Sequence, residues 1–576
     1  MDLQSLVNEL IYDDTLRDSL PLFKPELALC ATIVVLLLAR VLPLFRLLPP
    51  FLLALAGSLT ALWLALPAEG LADWSAPSQE IFTGMLVVDA VTAYIRVFLM
   101  SFAVLLVVLA QLTGLAGRDD GQDFFVLMLG ATLGMCIMAS SNHMLSVFLG
   151  VEMASVPSYV LAGIVRGRRT SSEASLKYAV YGAGTAGVML YGISLLCGVL
   201  GSAHLPTMAA RLAELDLAAK LASPDESVTV MVLALGGLML GVGLAFKLSA
   251  VPFHFWCPDV FEGASAEVDA FLSVASKAAA LVLLVRIGLG FSYVQETPQI
   301  ALHEARPPAA VAAAELANSK ISALPVVNSV ARVSVANESE SEASPLAPVR
   351  SFAVLLISVV AMVTCTFGNL AAYGQTNIKR LLAYSTIAHA GYMMMAVAAA
   401  VALLDHGLAQ SQNAVSSLLI YATIYLFMNL GAFAIVAFLR NAMGSEELAD
   451  YGGLVRSCPV ISVCMVAILF SLVGIPPLAG FIGKFAIFMS LVEMGGPLMM
   501  TLLVVAGLNT VVSLIYYLRV ARTICMDPEP DSRGPVAFGF LPAAYVLVAS
   551  VPVLALGLWP DRLAQWADLA ASSLFR

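Results

Sequence analysis

Four ionisable residues stand inside runs of apolar residues, namely Glu152, Lys247, Lys277 and Lys484. An ionised side chain at the centre of a membrane helix costs about 2.5–3.5 kcal/mol. Burial favours the uncharged form of a lysine or a carboxyl group, whereas a neighbouring opposite charge favours the charged form. A pair such as Glu152 and Lys247 can therefore act as a two-state proton switch, because separating the pair lets the lysine release its proton.

Three further residues extend this set, and each has a structural alternative. His254 stands beside Trp256, where a histidine could equally anchor the end of a helix at the membrane surface. His389 lies in an apolar run and fits either proton transfer or hydrogen-bonded packing. Lys177 lies four residues after Glu173, so a local ion pair on one helix face explains it as well as proton transfer does.

Static ion pairs between helices are the structural alternative for the buried charges. Ionisable groups inside a membrane are by default functional candidates, which favours transport. For Lys277 the alternative has additional support, because the hydroxyl groups of Ser273 and Ser276 could satisfy the ammonium locally. The candidate residues for proton translocation are Glu152, Lys177, Lys247, His254, Lys277, His389 and Lys484.

Membrane-spanning helices must position these residues. The 576-residue chain is 60% hydrophobic and 12% charged, against about 25% charged in a soluble protein. Apolar runs of roughly 17–25 residues predict an all-α, polytopic membrane protein with about fourteen spans. The predicted spans lie near residues 25–45, 50–67, 86–113, 122–140, 143–165, 174–201, 229–251, 267–291, 352–373, 380–403, 413–440, 458–493, 497–522 and 538–560.

The distribution of arginine and lysine predicts the orientation of these spans. Loops that follow odd-numbered spans carry most of the basic residues, whereas the short loops after even-numbered spans carry almost none. The positive-inside rule then places the odd–even loops in the cytoplasm and both termini on the opposite side of a bacterial inner membrane. Residues 1–23 are acidic rather than basic, so the first span is expected to be uncleaved rather than a signal peptide.

Two of the predicted spans are interrupted by proline, at Pro252 and at Pro476–Pro477. Proline removes a backbone donor, so carbonyl groups such as those of Leu248 and Val473 lose their helical partners. Such groups persist in a membrane only beside protein or water, and two corresponding breaks indicate a transporter built from repeats. A simple proline kink is the alternative for each break.

Several classes of function are excluded by what the sequence lacks. Its eight cysteines form no CxxC pair, and no GxGxxG, Walker A or metal-ligand pattern occurs. We therefore expect no cofactor, metal ion, nucleotide or nucleic acid on this chain, and no redox chemistry. Residues 294–350 lack a long apolar run and predict a flexible insertion on the non-cytoplasmic side.

Four stretches resemble the antiporter-like membrane subunits of respiratory complex I, the proton-pumping NADH–quinone oxidoreductase. They are VEMASVPSY (151–159), KLSAVPFHFWCPDV (247–260), NIKRLLAYSTIAHAGY (377–392) and GIPPLAGFIGK (474–484). The resemblance extends over about residues 80–525. It implies two inverted five-helix repeats, helices 4–8 and 9–13, in which helices 7 and 12 are broken. It also implies proton-transfer roles for Glu152, Lys177, Lys247, Lys277 and Lys484 and, by a looser match, for His254 and His389.

Two points favour the N-type subunit over its sister subunits. The chain ends soon after its last predicted span, without the long lateral helix of subunit L, and Lys484 stands where subunit M typically has glutamate. The insertion departs from the compact pattern of the family. The implied regions are 1–121 (helices 1–3), 122–293 (first repeat), 294–350 (insertion), 351–525 (second repeat) and 526–576 (helix 14).

We therefore expect a proton-translocating subunit of a NADH–quinone oxidoreductase, bound to lipid and to the other membrane subunits of complex I. Quinone reduction by NADH in other subunits would drive the proton transport, so this chain would belong to a translocase without carrying electrons. A subunit of a multi-subunit cation/proton antiporter is a second hypothesis. A membrane scaffold that holds static ion pairs and transports nothing is a third.

Overall fold

The computed structural model describes residues 8–41, 49–67, 78–118, 120–222, 227–294, 344–531, 533–534, 536 and 538–575. The predicted insertion at 294–350 lies largely outside the described residues. The described part is mostly helical, as the apolar runs predict. Its main helices are α1 (Lys24–Val41), α2 (Pro50–Ala65), α3 (Ala90–Leu112), α4 (Gly121–Ser140), α5 (Met144–Ala162), α6 (Arg169–Leu200), α7 (Leu205–Glu214), α8 (Leu217–Ala222), α9 (Ser227–Leu248), α10 (Trp256–Gly263), α11 (Ala266–Gly290), α12 (Ala347–Ala372), α13 (Ile378–Ala402), α14 (Leu408–Met443), α15 (Pro459–Val473), α16 (Ala479–Met494), α17 (Gly496–Cys525), α18 (Phe540–Leu558) and α19 (Asp561–Ser572).

Within the described residues, 11 helices are long and apolar enough to cross a membrane, judged by length and composition. The number rises to 12 if α1 and the helical segment Asp14–Leu22, which meet at 85°, form one bent span. The apolar helices α2 and α15 are shorter than a span. A multi-pass membrane protein is therefore confirmed, whereas the count of fourteen spans stays a prediction.

The all-α prediction needs one correction, because a small antiparallel sheet precedes α3. Its strands are β1 (Gln79–Ile81) and β2 (Leu86–Val88), with Gln79 opposite Val88. The predicted third span began at residue 86, but the helix begins only at Ala90. Asp89 caps it, since its carboxylate accepts a hydrogen bond of 2.7 Å from the backbone N–H of Thr92. This side-chain acceptor starts the helix where the apolar run alone showed no boundary.

Three helices form the centre of the bundle. Almost all residues in the apolar stretches of α11, α13 and α14 are buried, whereas only 22–33% are buried in those of α6, α9, α12, α17 and α18. A helix that is apolar on every side suits either burial inside a large protein or contact with lipid. The apolar faces of the outer helices are therefore suited to contact with lipid or with neighbouring subunits, and the three inner helices are enclosed by the rest of the bundle.

Glycine residues permit close contact between α12 and α13, which form the most extensive helix pair in the bundle. A Cβ atom added at Gly391 would lie 2.6 Å from the backbone nitrogen of Cys365, and one added at Gly368 would lie 2.6 Å from that of Ala388. Small residues allow such backbone contact in membranes, where van der Waals packing drives helix association. Gly391 also sets the position of the inner helix α13 against the outer helix α12.

Substitution of Gly391 by alanine is expected to lower the free energy of unfolding by about 1–3 kcal/mol, since backbone atoms obstruct the added methyl group. The measurement is thermal denaturation of the purified protein in detergent. Gly507→Ala is the matched control, because a Cβ at Gly507 meets nothing within 4 Å. Equal stability of the two variants would contradict the importance of this crossing.

Candidate functional site

The first proline break leaves its backbone groups beside protein rather than lipid. Helix α9 ends at Leu248, and α10 begins at Trp256. Between them, the N–H of Val251 donates a hydrogen bond of 3.0 Å to Thr364 Oγ1 on α12. The indole N–H of Trp256 donates one of 3.0 Å to the carbonyl oxygen of Phe246. Side chains therefore satisfy polar groups that the interrupted helix leaves free.

The second break is stabilised in the same way, and here an ammonium group takes part. Helix α15 ends at Val473 and α16 begins at Ala479. The N–H of Gly480 donates to Ser471 Oγ at 2.9 Å. Lys484 Nζ donates to the carbonyl oxygen of Val473 at 2.9 Å. This carbonyl is one of those predicted to lose its helical partner, and a buried lysine replaces that partner.

Lys247 is 1% exposed in the last turn of α9, and its Nζ donates a hydrogen bond of 3.0 Å to Ser155 Oγ on α5. Glu152 lies one turn before Ser155 on the same helix. Its carboxylate and the ammonium of Lys247 attract each other, but the two groups form no direct ion pair within the described residues. The predicted contact between Glu152 and Lys247 is therefore indirect, and the hydroxyl group of Ser155 is the immediate partner of the lysine.

Glu152 lies midway along α5 but at the edge of the bundle. Its side chain is only half-buried, and the neighbouring Leu149, Met153 and Val156 on α5 are exposed. A carboxyl group that faces hydrocarbon is costly unless a partner or water is present. The position of Glu152 therefore favours contact with another protein surface.

Lys277 occupies the centre of the bundle on α11. It is 1% exposed, and its Nζ donates a hydrogen bond of 3.0 Å to Thr386 Oγ1 on α13. The sulfur of Cys257 lies 3.9 Å from the same threonine oxygen. The predicted local partners Ser273 and Ser276 play no such role, because Lys277 is held by a hydroxyl group on a different helix.

His389 lies one turn beyond Thr386 on α13, between two phenol groups. Its Nδ1 is within hydrogen-bond distance of the hydroxyl of Tyr421, and its Nε2 is 3.2 Å from the hydroxyl of Tyr517. One turn further along α13, the ring of Tyr392 lies 4.5 Å from Lys484 Nζ. A cation over an aromatic face is attracted by the ring quadrupole.

Helix α13 thereby connects two of the buried lysines. Thr386, His389 and Tyr392 are spaced three residues apart, so they share one helix face. Lys277 contacts the first of them and Lys484 the last, and both lysines act electrostatically on His389. The structure therefore brings Lys277, His389 and Lys484 together.

Lys177 and His254 lie apart from this row, as do Lys247 and Glu152. Lys177 is 37% exposed and pairs with Glu173 at 2.9 Å and with Asp259 at 2.7 Å, so the local pair anticipated from the sequence is present. His254 is buried, and its ring lies 4.4 Å from that of Phe367. Its Nδ1 has no hydrogen-bond partner within the described residues.

Comparison with known proteins agrees with this architecture. A family model described as "NADH:quinone oxidoreductase/Mrp antiporter, TM" matches residues 141–303 and 341–510. NADH-quinone oxidoreductase subunit N of Anaeromyxobacter sp. (strain Fw109-5) is 35% identical, with 98% of this chain and 99% of the relative covered. The chain belongs to the NADH:quinone oxidoreductase/Mrp antiporter family.

Solved structures of antiporter-family subunits have the same fold. A chain of respiratory complex I from Thermus thermophilus superposes with a TM-score of 0.65 at 28% identity, covering 93% of this chain and 97% of that one. A chain of the Mrp complex from Dietzia sp. DQ12-45-1b gives a TM-score of 0.68 at 19% identity, covering 96% and 97%. The second likeness shows the fold alone.

Sequence reasoning on this antiporter-family chain missed the hydroxyl groups that contact the candidate residues, namely those of Ser155 and Thr386 beside the lysines and those of Tyr421 and Tyr517 beside His389. Hydroxyl residues are common in membrane helices, where they bond to their own backbone, so their presence alone carries no signal. Ser155 and Thr386 do form such bonds, to the carbonyl oxygens three or four residues earlier. Only the packing of helices shows that the same oxygens also accept from lysines.

Replacement of Ser155 by alanine is expected to destabilise the folded protein by about 1–3 kcal/mol, because a buried ammonium loses its hydrogen-bond acceptor. Ser158→Ala is the matched control. Ser158 is buried on the same helix and bonds to the carbonyl of Ala154, but it accepts from no lysine. The free energy of unfolding of each serine variant, alone and combined with Lys247→Met, is measured by denaturation and compared. If the two serine variants are equally stable, the proposed support of Lys247 is wrong.

Proposed function

We propose that this chain is a proton-translocating membrane subunit of a bacterial NADH–quinone oxidoreductase. The observation that carries the proposal is the row along α13 in the centre of the bundle, where Lys277 contacts Thr386, Lys484 lies over the ring of Tyr392, and His389 lies between these two contacts. Relatives at 35% and 33% identity, covering 98% and 91% of this chain, are named subunit N of this enzyme. Electron transfer would occur in other subunits, because no redox group is implied on this chain.

The full topology forms part of the proposal. We infer fourteen spans in two inverted repeats, with both termini on the non-cytoplasmic side of the inner membrane. Support comes from the two breaks, since α9–α10 and α15–α16 are interrupted beside Lys247 and Lys484 respectively. Corresponding interruptions that lie next to the buried charges are expected of a repeat-built transporter.

Charge repulsion along α13 suggests the order of proton movement. Lys277 and Lys484 both act on His389, and a third positive charge between two ammonium groups is electrostatically unfavourable. A proton can therefore occupy His389 only after one of the lysines has released its own. The phenol groups of Tyr421 and Tyr517 can donate to or accept from the imidazole during this exchange.

Lys247 and Lys277 require a bridge between them. The hydroxyl group of Tyr178 is buried without a hydrogen-bond partner in the described part of the chain, and so is that of Ser276 beside Lys277. Tyr178 acts electrostatically with both Glu152 and Cys257. Buried hydroxyl groups that lack protein partners are the sites that internal water molecules occupy. We infer that water completes the path there.

Glu152 at the bundle edge would connect this chain to a neighbouring subunit. A change in the charge of that neighbour would alter the field at Glu152 and hence at Lys247. Each proton moved against 100 mV costs about 2.3 kcal/mol, so the path must be driven by the redox reaction of the complex. Coupling through an edge carboxylate gives a physical route for that drive.

A cation/proton antiporter subunit is the second candidate, and the fold shared with the Mrp complex favours it. The two functions differ in their partners. Purification of the chain with flavin and iron–sulfur subunits supports the oxidoreductase, whereas its isolation with cation-transport subunits alone supports the antiporter.

Lys247→Ala and Glu152→Ala are each expected to abolish most proton pumping while the complex still assembles, because each removes an ionisable group from the path. The measurement is NADH-driven acidification in vesicles that contain the reconstituted complex. Arg456→Ala is the control, since Arg456 is an exposed cation outside the spanning helices. Full pumping by both variants would refute the proposal, and tolerance of Lys247→Met would support a scaffold.

A further inference from the structure

Asp269 is a fully buried carboxylate in the first turn of α11, and the mechanism above does not use it. Its side chain is 0% exposed, and neither of its carboxylate oxygens has a hydrogen-bond partner within the described residues. Lys379 Nζ, the nearest cation, is 3.9 Å away and donates instead to the carbonyl oxygen of Ala264 at 2.7 Å. A buried carboxylate left in this way is costly unless it is protonated or bound by water.

The balance of charges around Asp269 favours one exchangeable proton in this cluster. Lys379, Glu446, Glu267 and Arg440 all act on it electrostatically. Lys379 is 0% exposed and lies 3.1 Å from Glu446, which lies 3.0 Å from Arg440. The cluster therefore contains three carboxyl groups and two cations. Uncompensated charge in a low-dielectric interior is unfavourable, so the excess negative charge favours a proton on one carboxyl group, and Asp269 is the fully buried one without a hydrogen-bond partner in the described residues.

The cluster is partly open to solvent on one side. Its buried member, Asp269, lies on the same helix as Lys277. Glu446 is 13% exposed and Arg440 is 15% exposed, whereas Asp269 is sealed. Asp269, Ser273 and Lys277 follow one another at four-residue spacing, so they lie along one face of α11. The distance from Asp269 to Lys277 along the helix is about 12 Å, given about 1.5 Å per residue.

Cys257 lies near the Lys277 end of this stretch, because its sulfur is 3.9 Å from Thr386 Oγ1, the oxygen to which Lys277 donates. The face of α11 from Asp269 to Lys277 is thus polar at several points between the helix end and the centre of the bundle. The positive-inside rule assigns this end of α11 to the cytoplasm.

We propose that Asp269 is a proton carrier through which protons from the cytoplasm reach Lys277, an inference that rests on the proposed function. A proton from the solvent side of the cluster binds a carboxylate oxygen of Asp269, forming an O–H bond. That bond then breaks, and the proton passes through water beside Ser273 to the uncharged amine of Lys277. Asp269 returns to the carboxylate form, an N–H bond forms on Lys277 to give the ammonium, and each relaying water molecule gains one O–H bond and loses another.

The alternative role for Asp269 is structural, as part of a latch, meaning a set of charges that only holds helices together. The number of charges in the cluster separates the carrier from the latch. Asp269→Asn leaves two carboxyl groups facing two cations, so a latch would be preserved or strengthened. A carrier would be lost, because an amide neither accepts nor releases a proton at these steps. Asp269→Glu keeps the exchangeable proton on a longer side chain.

The test uses the complete complex in vesicles, with proton pumping and NADH–quinone turnover measured for each variant. Asp269→Asn is expected to lower pumping about a hundredfold, at the low end of the loss of a proton-transfer group. Asp269→Glu should recover most of it, and the thermal stability of the complex should not fall in Asp269→Asn. Asp123→Asn is the matched control, since Asp123 is also acidic in the first turn of a spanning helix but pairs with Arg40.

Lys277→Met, measured in parallel, separates failure of this inference from failure of the proposed function. Normal pumping by Lys277→Met would overturn both. Impaired pumping by Lys277→Met together with normal pumping by Asp269→Asn would overturn only the role of Asp269. Loss of assembly in Asp269→Asn that Asp269→Glu does not restore would also overturn the role of Asp269 as a carrier, because the loss of pumping would then follow from a structural defect.

Discussion

The buried ammonium groups at the centre of the bundle are held by neutral oxygens and an aromatic face, and the candidate site depends on this. Lys247 bonds to a serine, Lys277 to a threonine, and Lys484 to a backbone carbonyl beside a tyrosine ring. A hydroxyl group can accept from an ammonium and, after rotation, donate to an amine. A serine or threonine hydroxyl therefore keeps a hydrogen bond to the lysine whether the lysine is charged or neutral. A carboxylate in direct contact would instead be left charged and alone when the lysine lost its proton.

Cations nearer the helix ends have carboxylate partners instead. Arg96 pairs with Glu26, and Arg286 pairs with Asp89 at 2.7 Å; both pairs are buried. Breaking such a pair strands a charge, so these contacts suit fixed connections between helices. The bundle thus combines ion pairs that hold its ends with cations in its centre whose partners are neutral. Asp269 belongs to neither group, because it is buried and lacks a hydrogen-bond partner in the described part of the chain.

The sequence predicted much of the fold, and a good part of the site, for identifiable reasons. Apolar runs locate helices because a backbone in lipid must satisfy its own hydrogen bonds, and proline marks the breaks because it lacks a donor. Lys277, His389 and Lys484 were found as ionisable groups in apolar surroundings. Their partners were not, since a hydroxyl residue in a membrane helix has the same local appearance whether or not a lysine lies opposite. The strands before α3 were also missed, because β2 continues the apolar run of the predicted span and β1 is only three residues long.

By itself, the sequence determined that this chain is a membrane protein, where its helices break and that Lys247, Lys277, His389 and Lys484 are buried. Those properties follow from local composition and from the covalent structure of proline. The tertiary structure alone decided that Glu152 lies at the bundle edge, that Ser155 accepts from Lys247, and that α13 connects Lys277 with Lys484. Such contacts join residues that lie 92 or more positions apart in the chain. They depend on helix packing, which no local pattern encodes.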